Sequence, residues 1–198
     1  EVPLLFDIML HVATLAAVFI FFRKEIGELL AVFYRWITRK AKEDDLDKIE
    51  QIYLDIHTAE ETGQVTIGWN RAIYPTRATA EQALDRDDLF IGLDDNNDIV
   101  GVAIINQQQV NIYYRGNWRY PAEDSQVMVL HTLVISPKHF GKGYGTKFVR
   151  FYESYALENN CPYLRMDTNE INQNARALYK KLGYEERGIL PCTFNGIK

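Results

Sequence analysis

Nine almost unbroken apolar residues, Val127–Ile135, lead into Gly141-Lys142-Gly143-Tyr144-Gly145, and a helical pattern follows at once. An apolar run of this length fits a strand covered on both faces. Phe148, Phe151, Tyr152 and Tyr155 then recur on one face of a helix, and Pro162–Asp167 reads as the next strand. A strand, a glycine loop, a helix and a second strand make a parallel crossover unit, whose fixed handedness leaves few topologies. Three glycines at alternate positions let the backbone approach a ligand and adopt positive φ. The amides at the start of the following helix then face an anion, and a pyrophosphate suits such a site. No GK[ST] closes the loop as in a Walker A motif, and the spacing is not that of a dinucleotide fingerprint. An ordinary glycine-rich turn fits the same residues.

Around this unit the remaining pattern is mixed α and β. Trp36–Ala41 alternates apolar and polar residues, a strand signal. Glu43, Asp44 and Asp45 supply N-cap and first-turn acids for a helix in which Leu46, Ile49, Ile52, Tyr53 and Ile56 face inward, ending near Gly63. A short helix fits Thr79–Arg86, with Thr79 as its N-cap. Leu89–Leu93 and Ile99–Ile105 flank the turn Asp94–Asp98 and read as a hairpin. Gln107–Ser125 is a long aromatic loop. Asn172–Leu182 reads as a helix with Ala175, Leu178, Tyr179 and Leu182 inward, closed by Gly183, and Tyr184–Phe194 has room for one last strand.

Composition narrows the function classes. Lys and Arg number 22 against 27 Asp and Glu, a net charge of −5, which speaks against a broad basic surface for nucleic acid. Cys161 and Cys192 are the only cysteines, too few for a disulfide framework or a zinc cluster. No HxxxH or Cys/His spacing points to a metal. Both cysteines read as packing residues, and His11, His57 and His139 as structural or surface groups.

The N-terminus differs from the rest. Ile8–Phe22 carries no formal charge, Asp7 precedes it, and Arg23 and Lys24 follow. Phe6–Ile26 resembles one transmembrane segment of the bacterial undecaprenyl-diphosphatase family, but that family's catalytic motifs are absent, so no phosphatase activity is implied. Residues 1–35 read as a hydrophobic helical segment, foreign or vestigial, fused to a domain over residues 36–198. The rival reading is a genuine anchor that brings the chain to a membrane.

From about Ile37 to Gly196 the chain resembles the GNAT superfamily of acetyl-CoA-dependent N-acetyltransferases. Three ordered stretches carry the likeness: Ile37–Leu46, Leu133–Gly145, and Asn172 through Ala175, Tyr179, Leu182, Gly183 and Tyr184. The resemblance implies an α/β fold, a GNAT-like mixed central sheet with flanking helices, with the last strand missing at the C-terminus. It implies a sheet edge left unpaired or paired with a second copy in a homodimer. It also implies a cytoplasmic bacterial enzyme with acetyl-CoA as co-substrate and a small-molecule or peptide amine as acceptor. Backbone groups of Leu133, Val134 and Ile135 would meet the pantetheine. The loop Phe140, Gly141, Lys142, Gly143, Tyr144, Gly145 and Thr146 would take the pyrophosphate, and Asn172 would bond near the pantetheine. Phe140 stands where the family usually has Arg or Gln, so one phosphate contact is lost.

Tyr179 is the candidate acid for the departing thiolate, because a phenol and a thiol have comparable pKa values. A core tyrosine is the alternative. His131 lies on the strand where many family members carry a Glu base, and imidazole takes a proton near neutral pH. A buried histidine bonded to a carbonyl is the alternative. Trp69, Arg71, Tyr74 and Arg77 on one side and Tyr113, Tyr114, Trp118 and Tyr120 on the other are candidate walls for the acceptor, with Glu123 or Asp124 completing a cation site.

Overall fold

The structure is a computed structural model and describes residues 21–23 and 37–192. The chain divides into two compact units, Glu1–Ile37 and Thr38–Lys198. The apolar segment expected over residues 1–35 lies outside the described residues except for 21–23. No helix among the described residues is long and apolar enough to cross a membrane.

The second unit is built on a five-stranded sheet whose strands neighbour one another in chain order. The elements are β1 (Ile37–Lys40), α1 (Leu46–Glu61), α2 (Arg77–Asp85), β2 (Leu89–Leu93), β3 (Ile99–Asn106), β4 (Val127–Ile135), α3 (Tyr144–Glu158), β5 (Tyr163–Met166) and α4 (Gln173–Lys181). β2, β3 and β4 are antiparallel, and β4 and β5 are parallel. β2 and β3 are buried along nearly their whole length. On one face Ile49, Ile52, Tyr53 and Ile56 of α1 and Ala80 and Ala83 of α2 pack on Leu89, Ile91, Val102, Ile104 and Val134. On the other, Phe151 and Tyr155 of α3 set their rings 5.5 and 4.9 Å from that of Phe90.

The local readings differ from the structure at three places. Asp45 is the N-cap residue of α1, but its side chain makes no bond to the amides of that helix. Its carboxylate receives two bonds from Arg39, at 2.8 and 3.0 Å, and one from the Lys42 amide at 2.8 Å. A bidentate guanidinium from the neighbouring strand is a stronger partner than a helix amide, so this acid ties β1 to α1. Thr79 is not the N-cap of α2; Thr76 is, and the Thr76 amide donates to the Thr79 hydroxyl at 3.0 Å. No strand forms over residues 184–192, while 193–198 lie outside the described residues. Side chains fasten this stretch instead. Tyr184 donates to Glu153 at 3.1 Å, Glu186 accepts from Arg176 at 2.8 Å, and Arg187 donates to the Asn117 carbonyl at 2.8 Å.

Candidate active site

The parallel register runs from Val127↔Tyr163 to Leu130↔Met166 and stops there. β4 continues for five more residues, His131–Ile135, with no strand beside it on that side among the described residues. Burial changes at the same point: Val127–Leu130 are buried, while His131, Thr132, Leu133 and Ile135 are half-buried. The cause is a β-bulge. Val102 pairs with Val134 and Ile104 with His131, so Thr132 and Leu133 together oppose Ala103. Thr132 takes φ +46°, an uncommon conformation for a β-branched residue, and its hydroxyl is bonded to that of Tyr74. Bulges bend strands and re-aim side chains. Here the bend leaves a slot beside Leu133, Val134 and Ile135.

The slot ends at the glycine loop. Gly141 and Gly143 have φ +75° and +80°, and a Cβ at either would meet nothing within 4 Å. The loop is therefore an open cradle, with room for phosphate oxygens against its backbone. Gly143 is the N-cap of α3, so the loop leads straight into the positive end of a helix, where an anion is favoured. Gly145 differs from its two neighbours: it lies within α3, and a Cβ there would come 3.1 Å from Leu178 of α4. Its lack of a side chain lets α4 close over the start of α3. Phe140 is 36% exposed on the rim. Lys147 sits 5.1 Å over the Tyr144 ring, bringing a cation to the first turn.

His131 shares a face with Ile104, its partner in the antiparallel register, and so points to the side covered by α1 and α2. Its Nε2 is 3.1 Å from Asn106 Oδ1 and 3.1 Å from the Gln108 carbonyl. Burial pushes the imidazole below its ordinary value, against the pull of Asp167, the Gln108 carbonyl and Asp88, which raise it. Burial also pushes the Tyr179 phenol up, and the charge of Asp167 adds to this. Asp167 follows β5 directly, is exposed, and accepts from the Tyr113 hydroxyl. Its field reaches Tyr74, Tyr113, His131 and Tyr179 alike. Where β4 and β5 part, Tyr74 is thus bonded to Thr132 and Tyr113 to Asp167, whose charge also acts on His131 and Tyr179. Sequence reasoning passed over Asp167. The signal was there, because a carboxylate at the C-terminal end of a parallel strand stands where α/β sheets bind ligands.

Other candidates take different places. Asn172 is the N-cap of α4 and spends its carbonyl oxygen on the Ala175 amide at 3.1 Å. Arg71 is paired with Glu61, and Arg77 with Asp47, Glu50 and Glu81, so neither cation faces the slot as a free charge. Trp69 packs edge-on against Tyr74 at 5.8 Å, and Tyr113 against Trp118 at 5.2 Å. The aromatic cation site expected near Asp124 is filled by the chain itself: the Arg165 guanidinium lies 4.5 Å over Trp118, and Asp124 accepts from Gln109. Tyr114 and Tyr120 are exposed. His57 bonds to the Pro75 carbonyl at 3.0 Å. Among the described residues no three His, Cys, Asp or Glu side chains gather as a metal site.

Residues 37–184 match the model of the acetyltransferase (GNAT) family. A GNAT-family acetyltransferase structure from Streptococcus agalactiae superposes with TM-score 0.65 at 20% identity, over 77% of this chain and 87% of that one, a likeness of fold. The thialysine N-epsilon-acetyltransferase of Bos taurus is 28% identical over 75 residues, 38% of this chain and 42% of that protein. The undecaprenyl-diphosphatase of Treponema denticola is 46% identical over 65 residues, 33% of this chain and 24% of that protein. The chain therefore spans less than half the length of either curated relative.

Proposed function

As the chain belongs to the acetyltransferase (GNAT) family, we propose that it moves an acetyl group from acetyl-CoA to a primary amine by direct attack. The observation that carries this reading is the continuity of slot and cradle. Five residues of β4 that have, among the described residues, no strand neighbour on the β5 side run up to a glycine loop whose backbone is open to a ligand. An elongated molecule with an anionic end fits that shape. Amides from Gly141 to Thr146 meet the pyrophosphate, and Leu133, Val134 and Ile135 meet the pantetheine arm.

The amine nitrogen attacks the thioester carbonyl carbon, its proton passes to His131, the carbon–sulfur bond breaks, and the thiolate takes a proton from Tyr179. A neutral imidazole accepts a proton and a neutral phenol gives one, and burial favours both neutral forms. No covalent enzyme intermediate is needed. The bovine relative is named for acetylating a side-chain amine, and a primary amine acceptor agrees with that. Asp167 supplies a negative charge that attracts an ammonium, which gives its extra proton to solvent so that the neutral amine attacks.

Titration calorimetry with acetyl-CoA and CoA, followed by an amine panel read by free-thiol release, tests the reading. Micromolar binding that weakens with salt, with thiol release on at least one amine, is the expected result. Binding without turnover on any amine would leave a CoA-binding module, with Phe140 in place of a phosphate-binding side chain. No binding would overturn the reading.

A further inference from the structure

The environment of His131 fixes more than its proton affinity. The terminal amide of Asn106 has only one workable orientation. Its Nδ2 donates to Asp88 Oδ2 at 2.7 Å, and its Oδ1 accepts from the Gln108 amide at 2.8 Å. Turned over, the oxygen would face a carboxylate and the NH2 an N–H, two mismatches at once. Asp88 is 6% exposed, and both of its oxygens accept from Arg86, at 2.9 and 3.2 Å. Asn106 Oδ1 must therefore face His131 Nε2, and the Gln108 carbonyl is the second oxygen at that atom. Two acceptors against one ring nitrogen require that nitrogen to carry the hydrogen.

We infer that Asp88 and Asn106 are positioning residues that hold His131 as its Nε2–H tautomer, so that Nδ1 is the atom presented to the proton of the acceptor amine. The inference rests on the proposed role of His131. Neither residue touches the reacting atoms. Asp88 orients Asn106, Asn106 orients the ring and anchors the turn that carries the Gln108 carbonyl, and the ring offers one lone pair. The neutral imidazole has two tautomers, and the other would leave Nδ1 with a hydrogen and no basicity. The charged groups facing the ring are Asp167, Asp88 and Arg86.

Long-range proton–nitrogen correlation spectra of the full chain, with the His131 signals assigned through His131→Gln, read the tautomer directly. The wild type is expected to show a protonated Nε2 and a bare Nδ1. Asp88→Asn removes the carboxylate that forbids the turned-over amide and a charge that favours the imidazolium. It is expected to give a mixed tautomer population, a fall in kcat/KM of about tenfold, and an acid limb of kcat/KM moved to lower pH. Its KM for acetyl-CoA should stay within about twofold of wild type. Asn106→Leu serves as a second variant, with mixed tautomers and a similar loss. A protonated Nδ1 in the wild type overturns the inference, and so does an unchanged tautomer in both variants. If the tautomer shifts but kcat/KM does not, and His131→Gln also leaves it unchanged, the positioning stands and the base role of His131 falls.

Discussion

The proposed transfer needs Tyr179 and His131 in their neutral forms, and the same desolvation favours that form in both, raising the phenol and lowering the imidazole. Tyr179→Phe should lower kcat by roughly 10²–10³-fold while calorimetry finds acetyl-CoA affinity nearly unchanged; equal loss in both would make the tyrosine a packing residue. Only the unprotonated imidazole accepts a proton, so kcat/KM should fall as pH drops through a midpoint below 6.5, the ordinary histidine value. Stability follows the same sign. Below pH 6.5 the unfolded chain takes up this proton before the folded one, so folding weakens as pH falls through that window. Urea midpoints at pH 5.5 and 7.5, compared between wild type and His131→Gln, should show a smaller pH dependence in the variant. Both residues stand out in the sequence because they sit within recognisable local patterns. Asn106 and Asp88 do not, because they come from separate elements, and Asp88 reaches His131 only by way of Asn106.

The glycine loop and the parallel pair are the elements on which the site depends. Gly143→Ala places a Cβ in space that is open now but faces the proposed phosphates. At φ +80° it should cost about 1–2 kcal/mol of stability and weaken acetyl-CoA binding by at least about tenfold, read by melting and by calorimetry on the same sample. The Tyr152 hydroxyl is buried and lies between the Met128 carbonyl at 2.7 Å and the Arg165 carbonyl at 3.0 Å, joining β4 to β5 just before they part. Tyr152→Phe leaves two buried carbonyls without that donor and should cost about 1–3 kcal/mol in denaturant unfolding. In the sequence Tyr152 reads only as one of four inward aromatics on α3, since helical periodicity reports which face is buried and not where a hydroxyl ends. The alternate glycines read as a loop free to adopt positive φ, but only two of them do so. The third serves the contact between α3 and α4.

The five-stranded sheet and its helices lie within the unit Thr38–Lys198, apart from the first residue of β1. A chain beginning at residue 37 should therefore fold and bind acetyl-CoA with the affinity of the whole chain, as checked by circular dichroism and calorimetry; loss of either would make residues 1–36 part of the fold. The sequence by itself determined the order of strands and helices as far as α4, the inward faces of α1 and α3, the hairpin at Asp94–Asp98 and the position of the glycine loop. Each depends on contacts between residues near one another in the chain, and periodicity, turn chemistry and glycine placement record those contacts. Tertiary structure alone decided where β4 and β5 separate, which atom of His131 carries the hydrogen, and that Arg165 covers Trp118. Those features depend on a bulge opposite Ala103 and on a parallel register ending at Leu130↔Met166. They arise from pairing between segments dozens of residues apart, which no local pattern encodes.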